Sequence, residues 1–287
     1  MGDRCLGLIA GAGRFPLHIA REAKRQGVSV AAIGMRGWAD PALAAHVGSY
    51  TELPVGQLGP LLRYLKAHGV REVILAGKVT KEVLLAQRAG FDWETARLLT
   101  KVRDFSVGSL LGALGDRLAQ EGITLLDSSI FLRDHLCPVG VLTARAPSKA
   151  ERADIDLGLR VAQQLAQLDI GQTVVVKQRV VVAVEALEGT DAAIRRAHAL
   201  AGEGGVIVKA AAAGHDRRFD LPVVGTDTLA TMRETRASCL AMQAGVTLLL
   251  DREELLAAAD AAGLSLIGLE VREGRGPREP RPNPQHP

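Results

Sequence analysis

Short apolar runs alternate with longer amphipathic segments along the first half of the chain. The run at 6–10 leads into Gly11-Ala12-Gly13, a segment ending near Gly27 and a second run at 28–33. A helix stripe at i, i+3, i+4 and i+7 comes next, formed by Leu58, Leu61, Leu62 and Leu65, with another apolar run at 73–76. Strand, glycine turn, helix and strand in this order predict a Rossmann-like, doubly wound parallel sheet.

The second half has a more mixed pattern. Two β-branched runs, 173–176 and 180–184, flank three polar residues and predict a hairpin. Further strands are predicted at 205–208, 246–250 and 264–269, and helices at 150–168, 190–201, 226–245 and 252–262. The predicted fold class is therefore α/β, with two α/β domains: an N-terminal Rossmann-like parallel sheet and a C-terminal mixed α/β domain.

Composition shifts place the domain boundaries. Small, polar and proline-containing residues from Ala144 to Lys149 are typical of a linker. We predict a nucleotide-binding domain at 1–145, a linker at 146–150 and a catalytic domain at 151–271. The Arg-, Glu- and Pro-rich tail at 272–287 cannot bury a core and is expected to be disordered.

The overall composition excludes several classes of protein. Three cysteines in 287 residues exclude a disulfide framework and a cysteine-based zinc site. A net charge of +3 and 3% aromatic residues argue against nucleic acid as a partner. No apolar run reaches the roughly 20 residues that span a bilayer, and a secretory pattern is lacking, so we expect a cytoplasmic protein. The basic tail would suit peripheral contact with the inner membrane, although an inert tail is the simpler interpretation.

The loop that follows the apolar run at 205–208 concentrates charge. Its charged and ionisable residues are Lys209, His215, Asp216, Arg217, Arg218 and Asp220. Carboxylates hold Mg²⁺ through a few ligands and leave the other positions to water and phosphate oxygens, while Arg matches phosphate with forked donors. A site for phosphate and Mg²⁺ is one interpretation; a solvated loop whose charges pair with each other is the other.

Three further segments offer candidate ligands. Gly11-Ala12-Gly13 could cradle a phosphate, but Pro16 stands where a dinucleotide motif has its third glycine, and a tight turn explains the glycines equally well. Lys78 follows a strand, where open α/β sheets bind ligands, and Asp104 either caps the next helix or reaches a ligand. After the hairpin, Thr190 and Asp191 suit helix capping, whereas Glu185 and Glu188 are candidates for metal or ligand binding.

Five segments together resemble the UDP-2,3-diacylglucosamine pyrophosphatase family of the LpxI type. They are residues 7–13 with Pro16, Ala76-Gly77-Lys78, residues 169–176, the E-A-L-E-G-T-D block at 185–191 and the D-R-R-F-D-L-P-V-V-G block at 216–225. The likeness runs from about residue 6 to residue 269. The last two blocks are specific in combination, whereas the glycine turn alone is not.

The resemblance implies cleavage of the pyrophosphate of UDP-2,3-diacylglucosamine with Mg²⁺. Water is directed at the sugar-side phosphorus, and the products are UMP and 2,3-diacylglucosamine 1-phosphate (lipid X) of lipid A biosynthesis. It also implies that two domains enclose the substrate and that an aspartate of the second domain is catalytic. His215 and Gln178 depart from the family pattern, which leaves their roles open.

The residue roles follow from the matching blocks. Asp216 and Asp220 are the catalytic candidates, and the same two residues with Glu188 are the candidates for Mg²⁺. The substrate-binding candidates are Gly11, Ala12, Gly13, Lys78, Asp104, Lys209, Arg218, Thr190 and Asp191.

Two other functions are weighed against this one. A non-catalytic carrier of a nucleotide or acylated sugar would use the same fold without turnover. A Rossmann-type oxidoreductase is disfavoured by Pro16 and by the lack of a carboxylate for the ribose. Homo-oligomerisation stays open.

Overall fold

Two β-sheets organise the part of the chain that the computed structural model describes, residues 5–78, 90–102, 107–212, 214–218 and 221–271. The sheets belong to successive halves of the chain, and each has helices packed against it. The two-domain α/β architecture is as predicted.

The first sheet is parallel throughout and has the strand order β3-β2-β1-β4-β5. Its strands are β1 (Cys5–Ala10), β2 (Ser29–Met35), β3 (Ser49–Leu53), β4 (Glu72–Ala76) and β5 (Thr124–Leu125), and its helices are α1 (Phe15–Arg25), α2 (Leu58–Ala67), α3 (Trp93–Leu99) and α4 (Val107–Gln120). The order reverses between β1 and β4, so their carboxyl ends form a topological switch point, where α/β sheets bind ligands. Edge strand β3 was not predicted, because its sequence contains no apolar run.

The second sheet is mixed and has the order β6-β13-β11-β9-β7-β8. Its strands are β6 (Gly140–Val141), β7 (Thr173–Lys177), β8 (Val180–Val184), β9 (Val206–Lys209), β11 (Cys239–Gln243) and β13 (Ser265–Leu269), and its helices are α5 (Lys149–Gln167), α6 (Thr190–Ala201), α7 (Thr226–Glu234) and α8 (Arg252–Ala261). Strands β9, β11 and β13 are parallel, whereas β6, β7 and β8 join antiparallel to their neighbours.

The predicted hairpin is confirmed as β7 and β8. Its turn residues Gln178 and Arg179 both have positive φ, 51° and 61°, a conformation that side chains disfavour. Asp154 on α5 accepts from both turn amides, at 3.1 and 2.6 Å, and so stabilises the turn.

Two element predictions are corrected by the structure. The helix expected to run to Gly245 ends at Glu234, and Cys239–Gln243 is a strand buried at the centre of the second sheet. A fully buried strand lacks the polar alternation that distinguishes strand from helix. The strand predicted at 246–250 is reduced to β12 (Leu248–Leu249), which pairs with β10 (Val223–Val224).

The two domains share apolar contacts. Leu248 and Leu250 lie in the same buried cluster as Leu8 and Ile19 of the first domain, with Leu221 packed against it. Residues 140 and 141, which the predicted boundary assigned to the first domain, pair with β13 of the second sheet. The predicted tail at 272–287 lies outside the described residues. Of the helices that the structure describes, none combines the length and apolarity needed to cross a membrane.

Candidate active site between the domains

A cavity of about 660 Å³ lies between the two domains. The first domain contributes the ends of β1 and β4, including Gly13 and Lys78, and the second contributes Lys209, Thr190 and Asp251. This volume is within the range of small-molecule sites. The topological switch point therefore opens into a cleft between the two domains.

Glycines allow the loops after β1 and β4 to cross in close contact. The amide of Ala12 donates to the Lys78 carbonyl and the amide of Lys78 to the Ala12 carbonyl, both at 2.9 Å. A Cβ on Gly11 would lie 2.5 Å from the Lys78 carbonyl oxygen, and one on Gly77 would lie 2.7 Å from that of Ala12. These glycines are thus required for the crossing itself.

This crossing reduces the number of backbone amides with which the predicted cradle at Gly11-Ala12-Gly13 could bind a phosphate. The amides of Gly11 and Ala12 are already bonded, to Ala76 and Lys78. Gly13, whose φ is 93°, lies two residues before the start of α1 and lines the cavity. The part of the turn placed to meet a phosphate is therefore Gly13 and the first turn of α1.

Three helices begin at the cavity wall. Gly13 and Arg14 precede α1, Thr190 and Asp191 open α6, and Thr226 and Asp227 open α7; all six residues line the cavity. Helix N-termini present unbonded N–H groups and partial positive charge, which favours anions. The carboxylates of Asp191 and Asp227 carry the opposite charge at these helix ends. Oδ1 of Asp191 is buried and has no hydrogen-bond partner among the described residues. The wall thus combines anion-binding helix ends with carboxylates.

Lys209 is buried in a polar network at the wall. Its Nζ donates to the hydroxyls of Thr173 at 3.1 Å and Thr190 at 2.9 Å, and lies 3.8 Å from Oε2 of Glu185. The Thr190 hydroxyl in turn donates to Glu185 at 2.8 Å. The hydroxyl of Thr190, which was predicted to bind the substrate, is therefore already hydrogen-bonded within this network.

Glu185 is ionised in this network. Burial alone would raise the pKa of Glu185, but the Lys209 charge and hydrogen bonds from Thr173, Thr190 and the Gln172 amide hold it below its ordinary value. An anion and a cation are therefore paired beneath the cavity surface. The sequence indicated Glu185 only as one of two glutamates after a strand, and the pairing with Lys209 depends on strand register.

Asp216, Arg218 and Glu188 do not line the cavity. Asp216 and Arg218 form a bidentate pair, with Nε of Arg218 at 2.9 and 3.0 Å from the two carboxylate oxygens, and this contact lowers the pKa of Asp216. Glu188 pairs with Arg196 at 2.5 Å. Asp216 and Arg218 therefore follow the second interpretation of this loop, in which its charges pair with each other.

Of the predicted Mg²⁺ ligands, the structure describes Asp216 and Glu188, and each is paired with an arginine. Among the described residues, no group of three or more His, Cys, Asp or Glu side chains is suited to a metal ion. Asp220 and Asp104 lie outside them, so their roles stay predictions. Among the described carboxylates of the wall, Glu185 and Asp191 lie within the block at 185–191, and Asp227 follows the block at 216–225 by two residues.

Asp251 links the second domain to the first at the cavity edge. Its carboxylate lies 2.9 Å from Nη1 of Arg14 and 3.4 Å from Nε2 of His18. Burial lowers the pKa of His18, which the Asp251 charge partly offsets. Sequence reasoning missed Asp251, whose partners are more than 200 positions away in the chain.

An apolar wall completes the cavity. It comes mainly from α3, α4 and the loop before α2, namely Leu53, Val55, Phe91, Leu98, Leu99, Leu110, Leu111 and Leu114. Exposed Ile170 and Leu187 of the second domain also line it. One cavity thus offers both an anion-binding wall and an apolar wall.

Comparison with known proteins identifies the family. Residues 5–135 match the LpxI N-terminal domain and residues 138–267 the LpxI C-terminal domain. The chain is 32% identical over 281 residues to the UDP-2,3-diacylglucosamine pyrophosphatase LpxI of Caulobacter vibrioides, covering 94% of this chain and 99% of that protein.

Solved structures give much weaker matches. A UDP-glucose-4-epimerase from Stenotrophomonas maltophila aligns at 16% identity with a TM-score of 0.28, over 42% of this chain and 34% of that one. A biotin carboxylase from Campylobacter jejuni aligns at 12% identity with a TM-score of 0.26, over 68% of this chain and 42% of that one. Neither resemblance supports a functional argument. The two domain matches and the full-length relative show that this chain belongs to the LpxI family.

Proposed function

We propose that this protein hydrolyses the pyrophosphate bond of UDP-2,3-diacylglucosamine, giving UMP and lipid X in lipid A biosynthesis. The observation that supports this most is the cavity between the domains, which is lined both by three helix N-termini and by a group of apolar side chains. A substrate with a diphosphate and two acyl chains needs both surfaces at once. Membership of the LpxI family agrees with this substrate.

The chain's own groups supply what pyrophosphate hydrolysis requires. Such reactions depend on positioning and on stabilising charge at the non-bridging oxygens. Gly13, the first turns of α1, α6 and α7, and the Lys78 ammonium offer donors along the cavity wall. Lys209 adds a positive charge behind that wall, where exclusion of water strengthens electrostatic effects. Asp220, three residues beyond Arg217, is the proposed group that orients the attacking water.

Mg²⁺ is part of the same proposal. A bound ion would neutralise charge on the diphosphate, and one or two protein carboxylates suffice when phosphate oxygens fill the other positions. Oδ1 of Asp191, which has no hydrogen-bond partner in the described part of the chain, offers one such ligand. We expect chelation to abolish turnover and added Mg²⁺ to restore it. Calorimetry without turnover should show tighter binding of UDP in the presence of Mg²⁺.

The proposal places the enzyme at the cytoplasmic face of the inner membrane, in peripheral contact with the lipid. Leu187, 63% exposed, and Ile170, 44% exposed, line the cavity and also face solvent, which suits passage of acyl chains from a bilayer. Co-sedimentation with anionic vesicles tests this part. Leu187→Ser with Ile170→Ser should reduce sedimentation, whereas Leu200→Ser, on an exposed site of α6 outside the cavity lining, should not.

Purified protein with the lipid nucleotide and Mg²⁺ tests the activity directly. We expect release of UMP, and ¹⁸O from labelled water should enter the phosphate of lipid X because water attacks the sugar-side phosphorus. Asp216→Ala combined with Asp220→Ala should abolish release, while Glu203→Ala, which removes an exposed ion pair with Arg236, serves as the control. Absence of UMP release by the wild type would refute the function, and tight retention of substrate without turnover would indicate a carrier.

A further inference from the structure

The loop between β9 and β10 is attached to the first domain at one residue, Arg217. The Ser128 amide and hydroxyl both donate to the Arg217 carbonyl, at 3.1 and 3.0 Å. The Arg217 side chain returns to the same turn, with Nη2 donating to Oγ of Ser129 at 3.1 Å and Nε 3.1 Å from Oδ2 of Asp127. Arg217 thus makes hydrogen bonds with Ser128 and Ser129 and an ion pair with Asp127, three consecutive residues of the other domain.

The receiving turn is buried and has hydrogen bonds of its own. Oδ1 of Asp127 accepts from the amide and the hydroxyl of Ser129, at 2.7 and 2.6 Å, which leaves Oδ2 for Arg217. Ser128 and Ser129 are 1% and 0% exposed. Because the turn follows the central sheet through β5, Arg217 is held against a fixed part of the first domain.

Neighbouring contacts reinforce this attachment. Arg218, paired with Asp216, lies beside α4, where a Cβ on Gly115 would come 3.7 Å from its Nη1. At the start of the loop, the Ala211 amide donates to the Gln243 side chain at 3.0 Å. At its end, Leu221 packs into the cluster shared between the domains and lines the cavity. Of the described residues of this loop, Ala211, Arg217 and Leu221 are therefore each held by contacts.

This attachment bears on catalysis because of its place in the sequence. Arg217 lies three residues before the proposed catalytic residue Asp220, and Ser128 itself lines the cavity. We infer that Arg217 is a positioning residue, which holds residues 216–218 against the first domain through Asp127, Ser128 and Ser129 and so sets the point from which the chain continues to Asp220. Because these bonds join the two domains, they also hold the two sides of the cavity together. The inference rests on the proposed function for its effect on turnover.

Arg217→Gln and Asp127→Asn test the attachment while keeping polar side chains. Each should lower kcat by roughly tenfold or more, since small misplacements of reacting groups have effects of this size. The double variant should lose little beyond the larger single effect, because both changes break the same contact. Arg195→Ala, which removes a comparable exposed ion pair with Glu234 within the second domain, should keep wild-type kcat.

Hydrogen exchange gives a readout independent of turnover. The Ser128 amide bonds across the domains to Arg217, so its exchange should accelerate in Arg217→Gln while the amides of the β1–β2 ladder keep their protection. If Arg217→Gln fails to fold, Arg217→Lys replaces it and should lie between wild type and no activity, because a single ammonium cannot reproduce the two-pronged contact.

The outcomes separate the two proposals. Wild-type kcat with unchanged Ser128 exchange in Arg217→Gln would overturn the positioning role, as would additive losses in the double variant. A wild-type protein that releases no UMP would refute the proposed function, while the exchange experiment would still decide whether Arg217 holds the domains together.

Discussion

Lys209 and Glu185 illustrate how single residues determine the character of the cavity. Both side chains are almost fully buried, at 7% and 12% exposure, and two threonine hydroxyls complete their bonding. A buried ion pair contributes little net stability, but loss of one partner leaves an uncompensated charge. The pair therefore holds the Lys209 charge beside the proposed diphosphate site, and replacement of either residue alone is expected to destabilise the fold.

Replacement of Lys209 should be strongly destabilising. We expect Lys209→Met to lower the free energy of unfolding by about 3–5 kcal/mol, because Glu185 stays buried without its cation. Adding Glu185→Gln should recover part of the loss. Urea denaturation measures both, with Lys149→Met on an exposed helix position expected to stay within about 0.5 kcal/mol of wild type. An equally small effect of Lys209→Met would contradict the assigned network.

His18 gives the domain contact a dependence on pH. Burial lowers the pKa of His18 below its ordinary value of 6.5, with Asp251 opposing and Arg14, His135 and Arg21 adding to the shift. The unfolded chain then binds the proton more readily, so this contribution to stability is present above about 6.5 and is lost as the pH falls through the folded-state pKa.

The corresponding test compares melting temperatures between pH 5 and pH 7. His18→Gln should flatten the decrease in Tm on acidification, because the neutral amide has no proton to take up. His46→Gln, at a site where the imidazole meets Arg21 at 3.4 Å near the surface, should keep the wild-type slope. Parallel curves for wild type and His18→Gln would remove His18 from this role.

At the scale of elements, α5 shows how local sequence and distant contacts combine. Ser148 and Glu151 form a reciprocal capping box at its start, and Glu151 also receives two bonds from Arg145, at 3.0 and 2.8 Å. The Arg145 bonds and the Ser148 amide lower the pKa of Glu151 to about 2, against burial. The stability that this carboxylate contributes is present above about pH 4.5 and is lost as the pH falls towards 2.

Two substitutions separate the cap from the ion pair. Ser148→Ala should lower the free energy of unfolding by about 1 kcal/mol, the usual effect of losing a cap. Glu151→Ala should destabilise more, since it also leaves Arg145 without its carboxylate. Both are read by urea denaturation at pH 7, with Glu253→Ala on α8 as the exposed control. A larger effect of Ser148→Ala than of Glu151→Ala would contradict the assignment.

The whole molecule joins two sheets around a cavity that neither domain forms alone. Leu114 of α4 belongs to its apolar wall, and residues of the second domain line the same cavity. Leu114→Trp should fill part of this space and lower kcat/KM for the diacyl substrate by about tenfold or more, as expected when a hydrophobic pocket loses room. Leu200→Trp, at a side chain 69% exposed on α6, should leave kcat/KM unchanged. Wild-type kinetics for Leu114→Trp would place the acyl chains elsewhere.

Much of the architecture could be derived from local pattern. Glycine turns, β-branched runs and helix stripes predicted the Rossmann-like sheet and the hairpin, because these signals depend on residues close together in the chain. The strand at Cys239–Gln243 was taken for helix, since its five residues are buried on both faces and show neither period. Edge strand β3 was missed for the opposite reason, because its polar residues hide the pattern.

The sequence by itself determined the fold class, the family resemblance and the presence of acidic and glycine-rich blocks. Only the tertiary structure decided how these residues are used: Ala12 amide bonded to Lys78, Asp216 paired with Arg218, and Lys209 enclosed by Glu185 and two threonines. Arg217 and Asp127, 90 positions apart, and Asp251 and Arg14, still more distant, meet because the domains pack together. Such contacts leave no periodic signal in one sequence, since they depend on strand register and on the orientation of one domain against the other.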